Sequence, residues 1–211
     1  NNGRIIWADH QMMLYAMDVL SRNKGAKVIY DVKCTSLLPK LISENGGNPI
    51  LSRTGHSFIK KKLKETNAEL AGEMSGHIFF KERWYGFDDA LYTGARLLEI
   101  VSKSDKTCSE IFDELPVNLS TPEININFEK HGQQYEAMES LSINIDFPDA
   151  SVNTIDGFRV DFDDCWGLVR PSNTTPCLVL RFEGNSETEL NKIQERFKKW
   201  LEASGIPAKN L

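Results

Sequence analysis

Residues 26–66, AKVIYDVKCTSLLPKLISENGGNPILSRTGHSFIKKKLKET, decide the fold, because strand-like and helix-like runs alternate twice within them. Ala26-Lys27-Val28-Ile29-Tyr30-Asp31-Val32 is a β-rich run that ends at Lys33-Cys34-Thr35-Ser36. A helix is predicted from about Leu37 to Glu44, with Pro39 confined to its first turn, where a missing N–H is tolerated. Gly46-Gly47 stops it. Asn48-Pro49-Ile50-Leu51-Ser52 reads as a second strand, Thr54-Gly55-His56-Ser57 as a second polar loop, and about Phe58 to Thr66 as a second helix. This repeat predicts an α/β layer with mostly parallel strands. In such sheets ligands gather at the carboxyl ends of the strands, which makes Lys33 and His56 candidate site residues. Lys60-Lys61-Lys62 and Lys64 read as a solvated helix face.

The neighbouring segments extend the same pattern. Asn2-Gly3 is a turn signal and Arg4-Ile5-Ile6 reads as the end of a hairpin. Met12, Met13, Ala16, Met17 and Leu20 have helical spacing from Ala8 to Arg22 and read as core. His10 reads as a polar surface or capping residue. Downstream, Gly72-Glu73-Met74-Ser75-Gly76-His77 lies between Leu70-Ala71 and Ile78-Phe79-Phe80. On an extended backbone, alternation would project Glu73, Ser75 and His77 to one side. That face would carry an acceptor pair, a hydroxyl and an imidazole, and it suits the vicinal hydroxyls of a sugar. The same composition also fits a polar turn between two strands. A further helix is predicted from about Asp89 to Lys103, with Leu91, Ala95, Leu98 and Val101 as its apolar stripe. Thr107-Cys108-Ser109-Glu110 fits a capping box.

Pro116 to Pro122 reads as a linker, and strands dominate beyond it. Glu123–Phe128 is a strand, and a helix is expected near Gly132–Ser140. Asp156-Gly157 is a two-residue hairpin signal. Trp166–Val169 and Cys177–Phe182 are strands, and Ser186 starts a helix running to about Glu202. The fold class is therefore an α/β domain over residues 1–116, with a mixed, mostly parallel sheet. A small α+β domain with an antiparallel sheet follows over residues 117–211.

The chain has 211 residues, a net charge of −5, 40% hydrophobic and 26% charged residues. The two halves carry +1 and −6. Neither is basic enough to point to nucleic acid as a partner. No apolar run reaches the length of a membrane span. Cys34, Cys108, Cys165 and Cys177 are far apart with no Cys-x-x-Cys pair, so free thiols in a reducing cytoplasm are expected and zinc is not.

A second polar loop, Arg170-Pro171-Ser172-Asn173-Thr174-Thr175-Pro176, joins two of the expected strands. An Arg fork matches phosphate oxygens, and clustered hydroxyls with turn N–H groups complete an anion nest. A hairpin loop without a ligand has the same composition. Taken with the Gly72–His77 loop, the economical reading is a phosphorylated sugar as ligand.

The residues Gly-Glu-Met-Ser-Gly-His together with Arg-x-Ser-Asn-Thr-x-Pro resemble the α-D-phosphohexomutases, in particular the bacterial phosphomannomutase/phosphoglucomutase branch. Asp31–Thr35, Thr54–Ser57, Phe87–Ala90 and Trp166–Arg170 agree in order, and the resemblance covers essentially the whole chain. It implies the third and fourth domains of a four-domain enzyme: an α/β/α three-layer domain and a TATA-binding-protein-like α+β domain. It further implies that Glu73 and Ser75, with Met74 and Gly76 between and beside them, bind sugar hydroxyls. Arg170, Pro171, Ser172, Asn173 and Thr174 would grip the non-reacting phosphate. Lys33, His56 and His77 would line the cleft, with His77 and Lys33 as candidates for proton transfer. Pro171 departs from the small residue common in the family and removes one N–H donor.

The activity implied is isomerisation of hexose 1-phosphate and hexose 6-phosphate through a phosphoserine and a glucose or mannose bisphosphate. The family uses Mg²⁺ held by an Asp-x-Asp-x-Asp-Arg loop; neither that loop nor the phosphoserine loop occurs in this sequence. Asp161-Phe162-Asp163-Asp164 reads as an acidic turn. Since the metal loop of the family just precedes the segment resembling Asn2–Ile6, the expectation is a truncated chain. Such a chain would hold sugar phosphate without turning it over, and its partners would be the N-terminal domains. The alternatives are a non-catalytic sugar-phosphate-binding module and a phosphoglucosamine mutase; the latter branch typically has Gln where Met74 stands.

Overall fold

The computed structural model describes residues 3–208 and 211. The turn expected at Asn2-Gly3 lies partly outside the described residues. The chain divides into two compact units, residues up to Val117 and from Asn118 onward.

The first unit contains α1 (Ala8–Arg22), β1 (Lys27–Asp31), α2 (Leu37–Glu44), β2 (Asn48–Ser52), α3 (His56–Thr66), β3 (Leu70–Gly72), β4 (Ile78–Phe80), α4 (Ala90–Ser102) and α5 (Cys108–Asp113). The strand order is β2-β1-β3-β4. β1 is parallel to both its neighbours, and β4 runs antiparallel to β3. Alternation along the strands sorts the side chains into two faces. Val28, Leu70, Ile78 and Phe80 pack with Met12, Leu20, Leu38 and Phe112. Ile29, Ala71 and Phe79 pack with Ile59 and Leu63 of α3. The sheet is thus sandwiched between helix layers.

Several expectations change. Residues 3–7 carry no strand, so Arg4-Ile5-Ile6 does not end a hairpin; Arg4 instead pairs with Asp113 at 2.6 Å. Met17 is exposed, whereas Met12, Met13, Ala16 and Leu20 are buried. His10 is half-buried in the first turn of α1, its Nδ1 3.2 Å from a buried Asp9 carboxylate oxygen. In α4 the expected stripe faces outward, with Leu91 90% and Leu98 70% exposed. The face turned inward carries buried Thr93 and Arg96 with partly buried Tyr92, Leu97 and Ile100 beside them, and Arg96 meets Asp18 and Glu82 there. Thr107 caps α5 with both bonds of the capping box, accepting from the Glu110 N–H at 3.3 Å and donating its own N–H to the Glu110 carboxylate at 2.7 Å. Thr107→Ala is expected to lower stability by about 1 kcal/mol, read as a shifted urea midpoint with unchanged slope.

The second unit contains β5 (Leu119–Ser120), β6 (Ile124–Asn127), α6 (Gln133–Ile143), β7 (Ser151–Asn153), β8 (Phe158–Asp161), β9 (Cys165–Pro171), β10 (Cys177–Gly184) and α7 (Glu187–Ala203). Every strand pair is antiparallel, and β10 is flanked by β9 on one side and by β5 and β6 on the other. Leu178, Leu180 and Phe182 pack with Ile193, Phe197 and Leu201 of α7 and Leu141 of α6. Ser186 caps α7 by accepting the Glu189 N–H. The expected linker contributes β5, which pairs with Glu183 and Gly184. The hairpin at Asp156-Gly157 has a longer turn than two residues, since β7 ends at Asn153 and β8 begins at Phe158.

Candidate functional site

In the first unit, three loops follow the carboxyl ends of the parallel strands β1, β2 and β3. They carry Lys33, His56 and the Gly72–His77 segment. The His56 and His77 rings lie 5.8 Å apart between centroids. Lys33 and His77 are both close enough to Glu73 to act on its charge. Parallel topology thus places the four residues at one edge of the sheet, Lys33 and Glu73 buried and His56 and His77 exposed.

The Gly72–His77 segment is a tight turn, so strand-like alternation does not apply to it. The Glu73 N–H donates to the His77 carbonyl at 2.9 Å, and the Gly76 N–H donates to the Glu73 carbonyl at 3.0 Å. Glu73 and Met74 turn inward while Ser75, Gly76 and His77 are exposed. The expected common face of Glu73, Ser75 and His77 therefore does not form that way. Met74 places its side chain in the hydrophobic core and donates its N–H inward to the buried Asp31 carboxylate at 3.2 Å. Glu73 is 1% exposed and accepts the Gly55 N–H in a short bond. Burial pushes the Glu73 carboxyl up; the Gly55 N–H opposes the rise, Asp31 adds to it, and His77 and Lys33 counter it.

His77 is held from one side. Its Nδ1 lies 2.7 Å from Oδ2 of Asp88, which is fixed by a β-bridge to Phe79. A carboxylate only accepts, so a neutral His77 carries its proton on Nδ1 and presents Nε2 as an acceptor. That is the arrangement of an imidazole poised to take a proton. His56 is exposed as the first residue of α3, after Gly55.

In the second unit, the loop after β9 is organised by Ser172. Its Oγ accepts the N–H groups of Thr174 and Thr175 at 3.3 and 3.2 Å and lies 2.9 Å from Thr175 Oγ1. Asn173 and Thr174 are exposed, Ser172 is buried, and Pro171 is the last residue of β9. Arg170 is not an exposed fork. It is 5% exposed, and its Nε donates to Oδ2 of buried Asp156 at 2.9 Å. Its Nη2 is buried without a hydrogen-bond partner. A donor left in that state costs about 1–3 kcal/mol, so an oxygen brought to it is favoured.

Sequence reasoning missed three carboxylates that hold these groups: Asp31, Asp88 and Asp156. A charged residue ending an otherwise apolar central strand could have flagged Asp31. An acidic residue in a hairpin turn has too many ordinary uses to flag Asp156.

Residues 7–119 match the family model described as phosphoglucomutase/phosphomannomutase, alpha/beta/alpha domain III, and residues 123–199 match the C-terminal domain of the same family. The chain belongs to the phosphoglucomutase/phosphomannomutase family. It is 54% identical over 204 residues to a phosphoglucomutase of Neisseria gonorrhoeae, covering 96% of this chain and 44% of that protein. With a phosphomannomutase/phosphoglucomutase of Pseudomonas aeruginosa it shares 52% identity over 209 residues, 98% of this chain and 45% of the relative. A crystal structure of a family protein from Burkholderia thailandensis superposes with a TM-score of 0.91 at 50% identity, covering all of this chain and 44% of that one. The chain thus spans less than half the length of the relatives it matches.

Proposed function

We propose that this chain is the sugar-phosphate-holding part of a phosphomannomutase/phosphoglucomutase that interconverts hexose 1-phosphate and hexose 6-phosphate. The observation that carries the reading is the convergence of Lys33, His56, Glu73 and His77 at one sheet edge, in a chain that matches the family along nearly its whole length. In the proposed cycle a phosphoserine outside this chain gives its phosphoryl group to a sugar hydroxyl. Nε2 of His77, with Lys33 as the other candidate, takes the hydroxyl proton, and a hexose bisphosphate results. The bisphosphate reverses and returns its other phosphoryl group to the serine. Arg170 to Thr174 hold the phosphate that is not reacting, while the Glu73–His77 turn meets the sugar. A transfer of this kind rests on positioning and charge stabilisation, and proton transfer adds about 10²–10⁴-fold.

Magnesium supplies charge stabilisation in the reaction proposed for the parent protein. Among the described residues no group of three or more His, Cys, Asp or Glu side chains is placed to hold a metal ion. Asp161 pairs with Arg159, and Asp164 accepts from Asn185.

The test is an amide chemical-shift titration of the 211-residue chain with mannose 6-phosphate, glucose 6-phosphate and glucosamine 6-phosphate. Binding with a Kd on the order of millimolar is expected, with shifts at Ser75–His77 and at Ser172–Thr174. Mannose 1-phosphate with Mg²⁺ is expected to remain unconverted. Silent amides at both loops at saturating sugar phosphate would sink the reading. Turnover at enzymatic rates would show that the chemistry resides in this chain.

A further inference from the structure

We propose that Asp31 is the positioning residue of this site, a single buried carboxylate that sets the three strand-end loops relative to one another. The inference rests on the sugar-phosphate reading only for what the loops then hold.

Asp31 is the last residue of β1, the strand flanked by β2 and β3. It is level with Ser52 of β2, and its predecessor Tyr30 is level with Gly72 of β3. A side chain at the end of the strand between them is placed to reach the loops on both sides. Asp31 shares the alternation of Ile29, which faces α3, so it points to the side where Thr54 and Gly55 lead into that helix.

Its two oxygens are used divergently. Oδ1 accepts the Met74 N–H at 3.2 Å, from the loop after β3, and the Cys34 thiol at 3.1 Å, from the loop after β1. Oδ2 accepts the Thr54 hydroxyl at 2.9 Å, from the loop after β2. One group therefore touches the three segments that carry Lys33, His56 and Glu73–His77. A second tie, the Gly55 N–H to the Glu73 carboxylate, joins two of the same loops.

The chemistry of the hub explains why it is an aspartate. Asp31 is 0% exposed, and a carboxylate in that setting is costly to desolvate. An apolar residue would serve the core better. What the carboxylate adds is acceptor capacity in several directions with no hydrogen of its own. An asparagine would have to turn its NH₂ toward one of three donors. Facing Thr54, it forces that hydroxyl to stop donating and accept instead, and it leaves the Met74 N–H a neutral acceptor in place of a charged one. Facing the Met74 N–H, it opposes donor to donor. Asp31→Asn therefore keeps the volume and loosens the register of the loops.

The experiment uses amide hydrogen exchange in the 211-residue chain with Thr54→Val, Asp31→Asn and the parent sequence. Thr54→Val removes one donor from the loop after β2 and leaves Met74 chemically intact. It is expected to speed exchange of the Met74 amide about tenfold, while core amides at Val28 and Leu70 keep their rates. Asp31→Asn is expected to do the same more strongly. Both variants are expected to weaken binding of mannose 6-phosphate severalfold, with little change in Tm for Thr54→Val. An unchanged Met74 rate in both variants would overturn the proposal, as would equal acceleration at Met74 and at the core amides. If the parent chain binds no hexose phosphate while Thr54→Val still speeds Met74 exchange, the sugar-phosphate reading fails and the loop positioning stands.

Discussion

Arg96→Ala is expected to cost about 3–5 kcal/mol of unfolding free energy, by the general cost of breaking a buried ion pair. The side chain of Arg96 is 2% exposed and projects from α4 into a cluster of charges. Its Nη2 meets Asp18 of α1 at 2.8 Å and its Nη1 meets Glu82 at 2.9 Å, with the guanidinium lying 4.4 Å over the Phe80 ring. Truncation strands two largely buried carboxylates, for which Arg22 is the remaining shared cation. The pH dependence gives the mechanism away. Burial alone would push the Asp18 carboxyl up, but hydrogen bonds from Arg22 and Arg96 outweigh it and hold the group below its ordinary value of 3.8. A carboxyl lowered in the folded state contributes stability that is present above the ordinary value and lost as pH falls through the lowered one. The gap between Arg96→Ala and the parent chain should therefore be wide at pH 7 and shrink below about pH 4. Urea unfolding at the two pH values measures it. An equal gap at both would assign the loss to packing alone.

This cluster also marks where reading the sequence stops. The repeat over residues 26–66 was legible because β-rich runs, glycine stops and polar loops are local signals, and α1, α2 and β2 fall where they put them. The inward face of α4 was not legible. Leu91 and Leu98 follow the apolar template, yet the buried positions are Thr93 and Arg96, whose partners on α1 and after β4 are about 80 and 14 positions earlier in the chain. The site divides in the same way. That Lys33, His56 and Glu73–His77 share an edge follows from parallel topology. That Met74 buries its side chain and gives its N–H to Asp31, and that Arg170 is already paired with Asp156, depends on tertiary partners that no local window contains. The hydroxyl-rich loop 170–176 lies between these cases. Its residue types announced an anion nest, while its use of Ser172 Oγ as an internal hub emerges only from the folded turn.

Gly157→Ala is expected to cost about 2–5 kcal/mol and to loosen Arg170 with it. Gly157 has φ +78°, where an L side chain costs about 1–2 kcal/mol. A Cβ built there would lie 2.3 Å from the Val169 carbonyl oxygen and 2.6 Å from the Arg170 Cα. Those atoms belong to the backbone of β9 and cannot swing aside as a flexible side chain would, so overpacking adds about 1–3 kcal/mol. The turn must lift away from β9. It carries Asp156, and lifting it stretches the 2.9 Å bond to Arg170 Nε that fixes the guanidinium in the proposed phosphate clamp. Gly205→Ala is the control. That glycine has φ +77° but nothing within 4 Å of the added carbon, so it bears the same backbone strain without the clash. The difference between the two variants in urea unfolding isolates the contact with β9. If Gly157→Ala is no worse than Gly205→Ala, the close approach is not what the turn depends on. If Gly157→Ala destabilises the chain yet leaves inorganic phosphate shifting the Ser172–Thr174 amides unaltered, Asp156 does not set the clamp.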